Sequence, residues 1–476
     1  MKGVRAGEGA LAGPIRPPGG CRWTRTSIET MSHDDAALVS KAQSVFPGVL
    51  KDLEMLVGIE SVSSLPERSD DVLRSAKAVG QLLAEVGCPD VRIVTEGGQP
   101  AVIAHFPAPE GQPTVCLYAH HDVQPTGDVS LWSSDPFTPT QRDGRLYGRG
   151  SSDDKAGIAV HLAALRAFDG KPPVGVTLFI EGEEEIGSPS LRTIVERHHD
   201  ELASDVFVIC DSYNWDVDAP AFTSTLRGLA DCTVEVRTLD HALHSGAMGG
   251  IVPDALTSLC RLVATLHDEK GNVAIEGLKS SEAPHLDYPE DRLRAESGIL
   301  DGVDWLGEGS AVSRMWNKPA VSVLAIDATS VENASNTLAP VARAKISLRV
   351  APGDDAEVAE DALVRHLENH APFGAQVTVT RGETGQPGII GFDGPSCDAA
   401  FDAFRTAWGK EPVFIGCGGS IPMVADFQQA FPEATVLITA VADPDSRPHG
   451  IDESQHLGDL EKACLAETLL LARLAR

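Results

Sequence analysis

Histidine and acidic residues follow several short apolar segments that are rich in valine and isoleucine. These segments and their polar neighbours are 114–118 with His120, His121 and Asp122; 174–180 with Glu181, Glu183, Glu184 and Glu185; 206–210 with Asp211; and 436–440 with His449. Such segments, bounded by turn residues, predict buried strands. Because ligand sites in open α/β sheets lie beyond the carboxyl ends of the strands, these side chains are expected to meet in one crevice. Asp153 and Asp154 join them from the loop before a predicted helix at 156–168.

Imidazole nitrogens and carboxylate oxygens are ligands that zinc and manganese accept in hydrolases. A set of two histidines and three carboxylates suffices for two divalent ions if one carboxylate bridges them. Two such ions, about 3.5–4 Å apart, acidify a shared water to a pKa of about 7 and polarise a carbonyl group. A neighbouring carboxylate must then take the proton of the water. The adjacent glutamates offer one ligand and one base, so the pattern predicts a metal-dependent hydrolase.

Each of these groups also has a simpler interpretation. The run Glu181 to Glu185 is compatible with a solvated acidic turn, and adjacent histidines are usually polar surface. Asp153 and Asp154 before Lys155 are compatible with a helix N-cap whose charges suit the helix dipole. Asp211 fits an ordinary turn after a strand. The occurrence of all of them at strand ends, within one α/β pattern, favours the metal site.

The elements that position these residues alternate between strand and helix patterns, which indicates an α/β sheet. After Gly228 the pattern changes to strands with one wet face and separate helices, the mark of an α+β unit. A polar stretch at 268–306 is predicted to be mostly irregular, 382–394 is predicted to be a hinge, and 452–476 a closing helix. We therefore predict an α/β catalytic domain, with a mostly parallel sheet flanked by helices, and an inserted α+β lid. The predicted boundaries are 32–227 with 388–476 for the catalytic domain and 228–387 for the lid.

The bulk properties of the 476 residues restrict the partners. A net charge of −30 disfavours nucleic-acid binding, and the apolar runs are too short to cross a bilayer. Nine cysteines without a C-x-x-C pair indicate a reducing compartment, so we predict a cytoplasmic protein. Residues 1–31 lack the apolar stretch of a secretory signal and are predicted to be a disordered tail or the product of an upstream start codon.

Longer motifs around these positions resemble a known family. They are residues 118–125 (Tyr-Ala-His-His-Asp-Val-Gln-Pro), Trp132, 135–137 (Asp-Pro-Phe), 146–155 (Leu-Tyr-Gly-Arg-Gly-Ser-Ser-Asp-Asp-Lys) and 181–188 (Glu-Gly-Glu-Glu-Glu-Ile-Gly-Ser). Together they resemble the dinuclear metallopeptidases, which include carnosinase-like dipeptidases, glutamate carboxypeptidases, and acetylornithine and succinyl-diaminopimelate deacylases. The resemblance runs from about Asp34 to the C-terminus and is greatest to the dipeptidase branch. It implies hydrolysis of an amide bond in dipeptides or short peptides.

The resemblance also implies roles for the residues at the strand ends. The implied ligands are His120 and Asp211 for one ion, Glu185 and His449 for the other, and Asp153 as the bridge. Asp122 would orient His120, and Glu184 would be the general base. The implied cofactors are two zinc or manganese ions per chain, with cobalt as a substitute in vitro.

Further expectations concern the lid and the substrate. The resemblance implies that His244 stabilises the oxyanion, in some members across a dimer, and that Arg349 pairs with the substrate carboxylate. The other implied substrate-binding residues are Asn336, Thr337, Gly419 and Ser420. A surface histidine and a strand-edge arginine are the competing interpretations. A homodimer through the lid is expected from the resemblance alone. Carnosinase-like members carry Arg-Glu before Gly-Gly-Ser, whereas this chain has Gly416 and Cys417.

Three hypotheses about function follow. The first is a metallodipeptidase, the second an N-acyl-amino-acid deacylase with the same metals, and the third a non-catalytic peptide- or metal-binding relative. Retention of Glu184 and of all five predicted ligands argues against the third. The sequence has no G-x-S-x-G elbow, H-E-x-x-H helix or P-loop.

Overall fold

The computed structural model describes residues 33–284, 286–419 and 422–475, so the predicted tail at 1–31 lies outside the described residues. The α-helices are α1 (His33–Val57), α2 (Ser69–Val86), α3 (Lys155–Ala167), α4 (Leu191–Arg197), α5 (His199–Leu202), α6 (Ser245–Met248), α7 (Ala255–Ala264), α8 (Glu290–Ser297), α9 (Ala356–Asn369), α10 (Pro395–Trp408), α11 (Pro422–Ala430) and α12 (Leu457–Leu474). Short 3-10 turns lie at Pro66–Arg68, Val129–Leu131, Glu184–Ile186, Val331–Asn333 and Pro372–Gly374, and a π-helical turn lies at Ser313–Asn317.

The strands are β1 (Asp90–Val94), β2 (Ala101–Phe106), β3 (Thr114–His120), β4 (Thr140–Arg142), β5 (Arg145–Tyr147), β6 (Gly175–Glu181), β7 (Val206–Ile209), β8 (Ala221–Leu226), β9 (Gly228–Arg237), β10 (Leu243–His244), β11 (Ala320–Asp327), β12 (Thr337–Leu338), β13 (Val341–Val350), β14 (Gln376–Gly385), β15 (Gly388–Ile389), β16 (Val413–Cys417), β17 (Thr435–Ile438) and β18 (Ser454–His456).

A six-stranded sheet with the order β1-β2-β6-β3-β7-β17 forms the centre of the larger part. Strands β6, β3, β7 and β17 run parallel, and β1 and β2 add an antiparallel edge. Alternate side chains of each strand point to opposite faces of the sheet. One face packs against α1, α2, α3, α10 and α12, and the other against α4 and α11. This arrangement confirms the predicted mostly parallel sheet flanked by helices.

A four-stranded antiparallel sheet with the order β11-β13-β9-β14 forms the smaller part. Every second residue of β9, from Ala230 to Val236, is buried against α7 and α9. The alternating pattern of this strand is that of a sheet with one covered face. The predicted α+β character of this section is therefore confirmed.

Some local predictions differ from the structure. The stretch at 268–306 is mostly irregular, as predicted, but it also contains α8, whose mostly charged sequence gives no apolar face from which to predict a helix. The predicted hinge at 382–394 begins inside β14, where glycines are tolerated because the strand lies at a sheet edge. The closing helix begins at Leu457 rather than Asp452, because β18 pairs with β5 first. No helix among the described residues is both long enough and apolar enough to cross a membrane.

Candidate active site

The strand ends of the six-stranded sheet lie at the same level. In the parallel register His120 pairs with Glu181 and Tyr118 pairs with Ile209. Ile438 also pairs with Ile209, so β17 ends beside β7. The residues that follow these strands must therefore enter one crevice, as predicted from the pattern of polar residues at strand ends.

Two groups of side chains in this crevice have the geometry of metal ligands. The first ligand group is His120, Asp153 and Asp211, and the second is Asp153, Glu185 and His449. Within each group the candidate ligand atoms lie within 4.8 Å of one another. His120 Nε2 lies 3.0 Å from Asp153 Oδ1, and His449 Nε2 lies 3.1 Å from both Asp153 Oδ2 and Glu185 Oε2. Asp153 thus offers one oxygen to each group, as a bridging carboxylate would.

The electrostatics of the crevice suit cations. Burial raises the pKa of Asp211 well above its ordinary value, and the negative charge of Asp154 raises it further. Burial also raises the pKa of Glu185, and the charge of Asp153 adds to the effect. Several carboxylates that are withdrawn from water repel one another, and divalent ions would remove that repulsion. The His449 side chain is 56% exposed, so the second ligand group opens to solvent. The donor set, with two imidazoles and three carboxylates, fits two zinc or manganese ions.

Asp122 connects the first histidine to the glutamates. Its carboxylate accepts hydrogen bonds from the backbone N–H groups of Glu184 and Glu185, each at 3.2 Å. His120 Nδ1 lies 3.1 Å from the carbonyl oxygen of Asp122 and 3.4 Å from its Oδ1. The buried Asp122 therefore holds the ring of His120 and the 3-10 turn Glu184–Ile186 in one arrangement.

Glu184 lies in neither ligand group, although it stands next to the ligand candidate Glu185. Burial raises the pKa of its carboxyl well above the ordinary value, the positive charge of His120 opposes that shift, and the charge of Asp211 adds to it. A carboxylate with an elevated pKa beside a metal site is suited to accept and return a proton.

The adjacent side chains of Asp153 and Asp154 make different contacts. Asp154 is the N-cap of α3, where its Oδ1 accepts a hydrogen bond from Gly157 N at 3.2 Å, and its Oδ2 accepts one from His120 N at 3.3 Å. Asp153 points to both ligand groups instead. The helix-cap interpretation therefore holds for Asp154, whereas Asp153 has the position of a candidate ligand in both groups.

A buried ion pair that no sequence motif predicted joins the loops of the crevice. Glu453 Oε2 accepts a 2.6 Å hydrogen bond from Arg149 Nη1, and both side chains are at most 1% exposed. Glu453 Oε1 also accepts hydrogen bonds from the backbone N–H groups of Ser152 and Asp153, at 3.1 and 3.2 Å. The signal available in the sequence was an arginine in the Gly-Arg-Gly of one motif and a glutamate four residues after His449.

The predicted lid residues lie together and belong to neither ligand group. His244 is exposed and pairs with Thr337 between β10 and β12, next to Asn336. Its Nδ1 accepts a hydrogen bond from Gly246 N at 3.0 Å. Within the described residues, no hydrogen bond or ion pair joins His244 to either ligand group.

The predicted substrate loop follows β16 directly. Arg349 is half-buried in β13, and Gly419 N donates to Cys417 Sγ at 3.4 Å. Ser420 lies outside the described residues.

A mostly parallel sheet with two candidate ligand groups at its strand ends is typical of metal-dependent hydrolases. Residues 116–473 match peptidase family M20/M25/M40, so the chain belongs to this family and is a peptide-bond hydrolase. A cysteinylglycine-S-conjugate dipeptidase of Corynebacterium striatum is 34% identical over 452 residues, which cover 93% of this chain and 99% of the relative. A beta-Ala-His dipeptidase of Homo sapiens is 30% identical over 450 residues, which cover 87% of this chain and 85% of the relative. The crystal structure of human carnosine dipeptidase 1 superimposes with a TM-score of 0.79 at 26% identity, covering 93% of this chain and 98% of that one.

Proposed function

We propose that this enzyme is a metal-dependent dipeptidase that hydrolyses the amide bond of unblocked dipeptides or short peptides. The observation that carries the proposal is Asp153, which offers one carboxylate oxygen to each of two ligand groups, with Glu184 adjacent in the chain to Glu185 of the second group. The names of the relatives in Corynebacterium striatum and Homo sapiens support a dipeptide as the substrate.

The residues fit two divalent ions, zinc or manganese. We propose His120 and Asp211 for one ion, Glu185 and His449 for the other, and Asp153 for both. When bound, the two ions would supply Lewis acidity, which acidifies an attacking water and polarises the scissile carbonyl.

The proposed steps of this chain's own residues begin with Glu184. Its carboxylate accepts a proton from the attacking water as the oxygen forms a bond to the carbonyl carbon. The same carboxyl group then donates that proton to the nitrogen of the leaving amine, so that the C–N bond breaks without releasing an amide anion. Asp122 keeps Glu184 in place through the backbone hydrogen bond at 3.2 Å.

The remaining proposed roles belong to the lid. His244 would donate a hydrogen bond to the oxyanion, and Arg349 would bind the substrate carboxylate as a bidentate fork. Asn336, Thr337, Gly419 and Ser420 would contact the substrate. Because His244 is exposed and unconnected to the ligand groups in the described residues, closure of the lid or a second chain must bring it to the substrate.

We also propose that residues 32–227 and 388–476 form the catalytic domain and 228–387 the lid, and that the lid carries a homodimer interface. Strand β11 is an edge of the lid sheet, and it exposes Val323, Leu324 and Ile326. An apolar edge strand with free backbone groups is suited to pair with a second copy. A cytoplasmic location is a further proposal, supported by seven free cysteines within the described residues, Cys88, Cys116, Cys210, Cys232, Cys260, Cys417 and Cys464.

The experiment is an assay of free-amine release by the full chain after loading with zinc or with manganese. The panel holds unblocked dipeptides and the N-acetyl and N-succinyl forms of the same amino acids, with Glu184→Gln as the control for the proton transfer. Hydrolysis of the unblocked dipeptides, lost in Glu184→Gln, supports the proposal. Turnover confined to the N-acyl compounds would assign the same site to a deacylase, and binding of two ions without turnover would favour a non-catalytic relative.

A further inference from the structure

Two arginines lie where the chain crosses between the two parts of the molecule. Arg227 occupies the single position between β8, which pairs with β15 and β16, and β9 of the lid sheet. Arg349 pairs with Leu229 in the register of β13 with β9, two residues beyond Arg227. Both side chains are half-buried.

Arg227 is hydrogen-bonded to the predicted substrate loop. Its Nε donates a 3.0 Å hydrogen bond to the carbonyl oxygen of Gly418, and its backbone N–H donates to the carbonyl oxygen of Cys417 at 3.2 Å. A Cβ atom at Gly418 would lie 2.9 Å from Arg227 Nη2, so a larger residue at this position would displace the guanidinium. The charged group of Arg227 therefore lines the same loop as Gly419.

Neither guanidinium group has a negative partner among the residues that the structure describes. Among the described residues no carboxylate lies within 4.0 Å of the charged nitrogens of Arg227 or Arg349, whereas the buried Arg149 is paired with Glu453. Burial lowers the pKa of Arg227 to about 10, and repulsion from Arg349 is the second cause. Arg227 still carries its charge at neutral pH, so a cation without a carboxylate partner among the described residues lies near Arg349.

Cys417 connects this pair with the metal site. Cys417 pairs with Leu226 of β8, and its carbonyl oxygen accepts the backbone N–H of Arg227. The charges of Asp211, Arg227 and Arg349 act on its thiol. Burial raises the pKa of the thiol, which leaves it neutral and unable to balance the arginines. The position therefore holds a neutral residue at the wall of the crevice, where an acidic residue would neutralise the pair.

From this geometry we infer that Arg227 and Arg349 form a subsite for two carboxylates, and that the preferred substrate is a dipeptide whose C-terminal residue is aspartate or glutamate. The inference rests on the proposed dipeptidase function. The terminal carboxylate neutralises one guanidinium, and the acidic side chain of the same residue neutralises the other. Each pairing is a charge-assisted hydrogen bond in a half-buried setting, where such bonds are stronger than at an open surface.

The test compares matched substrates that differ only in charge, Ala-Glu with Ala-Gln and Ala-Asp with Ala-Asn. We expect kcat/KM to favour the acidic member by about tenfold or more, mainly through KM, and the preference to shrink at high salt. In Arg227→Gln the ratio of kcat/KM for Ala-Glu to kcat/KM for Ala-Gln should fall towards one, while Ala-Gln is still cleaved. Arg227→Lys should retain part of the preference for Ala-Glu. Cys417→Glu should remove the preference by neutralising the pair, whereas Cys417→Ser should keep it.

The possible failures are distinct. Cleavage of neutral and acidic dipeptides at equal rates, or a preference for Glu-Ala over Ala-Glu, would overturn the subsite and leave the dipeptidase function standing. An equal loss on Ala-Glu and Ala-Gln in Arg227→Gln would show that Arg227 only holds the Gly418 loop, which also overturns the inference. Absence of turnover on every dipeptide would overturn the proposed function, and the substrate inference with it.

Discussion

Glu453 accepts a 2.6 Å hydrogen bond from Arg149 within the protein interior, 304 residues away in the chain. Arg149 also donates to the carbonyl oxygens of Pro125 and Gly450, each at 3.2 Å, so the pair joins three loops around the candidate metal site.

Glu453→Gln keeps the shape of the side chain but removes its charge. We expect it to lower metal affinity by about 10- to 100-fold, because groups that orient ligands have effects of this size. Titration of bound metal, together with kcat, checks the prediction.

A matched control is the exposed pair of Arg405 and Glu411, in which Arg405 Nε donates to Glu411 Oε1 at 2.6 Å. Glu411→Gln removes the same charge from a solvated pair and should leave metal affinity unchanged, because exposed ion pairs contribute little. Equal metal loss in both variants would refute a positioning role for Glu453.

The shared carboxylate predicts different metal contents for different variants. His120→Asn and His449→Asn should each keep at most one ion per chain, since each removes a ligand from one group only. Asp153→Asn should keep none, because Asp153 belongs to both groups. Glu184→Gln should keep two ions and lose turnover by about 100- to 10,000-fold, the range of general-base catalysis. Elemental analysis of the purified variants measures this, and loss of an ion from Glu184→Gln would assign Glu184 as a ligand.

The α/β fold and the meeting of the strand ends were accessible from the sequence because each strand is a short apolar run and several candidate site residues lie at or just after a strand end. The meeting of His120, Asp211 and the glutamates could be predicted from the rule that parallel strands end at one edge of the sheet. The partnership of Arg149 with Glu453 was not accessible, since it depends on how residues 304 apart are brought together. Strand β14 was missed for a related reason, because its exposed polar residues are ordered by pairing with β9 rather than by their own pattern.

The departure at Gly416 has a steric explanation that predicts a stability effect. A Cβ atom at this position would collide with the side chain of Trp316 and would lie 2.6 Å from Thr225 Oγ1. Gly416→Ala should therefore destabilise the protein by about 1–3 kcal/mol and raise KM, because the strand must shift next to the substrate loop. Gly391 has no atom within 4 Å of such a Cβ, so Gly391→Ala is the control. Thermal unfolding and steady-state kinetics would show equal effects in the two variants if this packing were unimportant.

Stability should depend on pH through the buried pair of His161 and Glu467. His161 Nδ1 lies 2.9 Å from Glu467 Oε1, and His161 Nε2 lies 3.0 Å from the carbonyl oxygen of Tyr118, so both ring nitrogens face acceptors. Burial lowers the pKa of His161, but the charge of Glu467 and these hydrogen bonds outweigh it and raise the pKa above the ordinary value. The stabilisation is therefore complete below the unfolded pKa of about 6.5 and is lost as pH rises through the folded pKa.

The measurement is urea unfolding from pH 6 to pH 9 in the presence of a chelator, which removes the separate effect of metal binding. The comparison is with the double variant His161→Gln and Glu467→Gln, which carries no charge at either position. The stability of the wild type relative to this variant should be greatest at pH 6 and should decline towards pH 9. A difference that is constant over the range would mean that His161 does not change its charge there.

The lid edge makes a final prediction about assembly. Leu324 in β11 is 62% exposed on an edge strand, beside the exposed Val323 and Ile326. If this edge pairs with a second copy, Leu324→Lys should give a monomer, because a lysine on an edge strand opposes strand addition. Lys270→Glu, at an exposed position away from the edge, is the control for a change of charge. Light scattering after size exclusion measures the mass, and a wild type that is already monomeric would refute the dimer.

If the dimer brings His244 to the partner's substrate, the Leu324→Lys monomer should also have a lower kcat while retaining both metal ions. This result would separate loss of assembly from damage to the metal site.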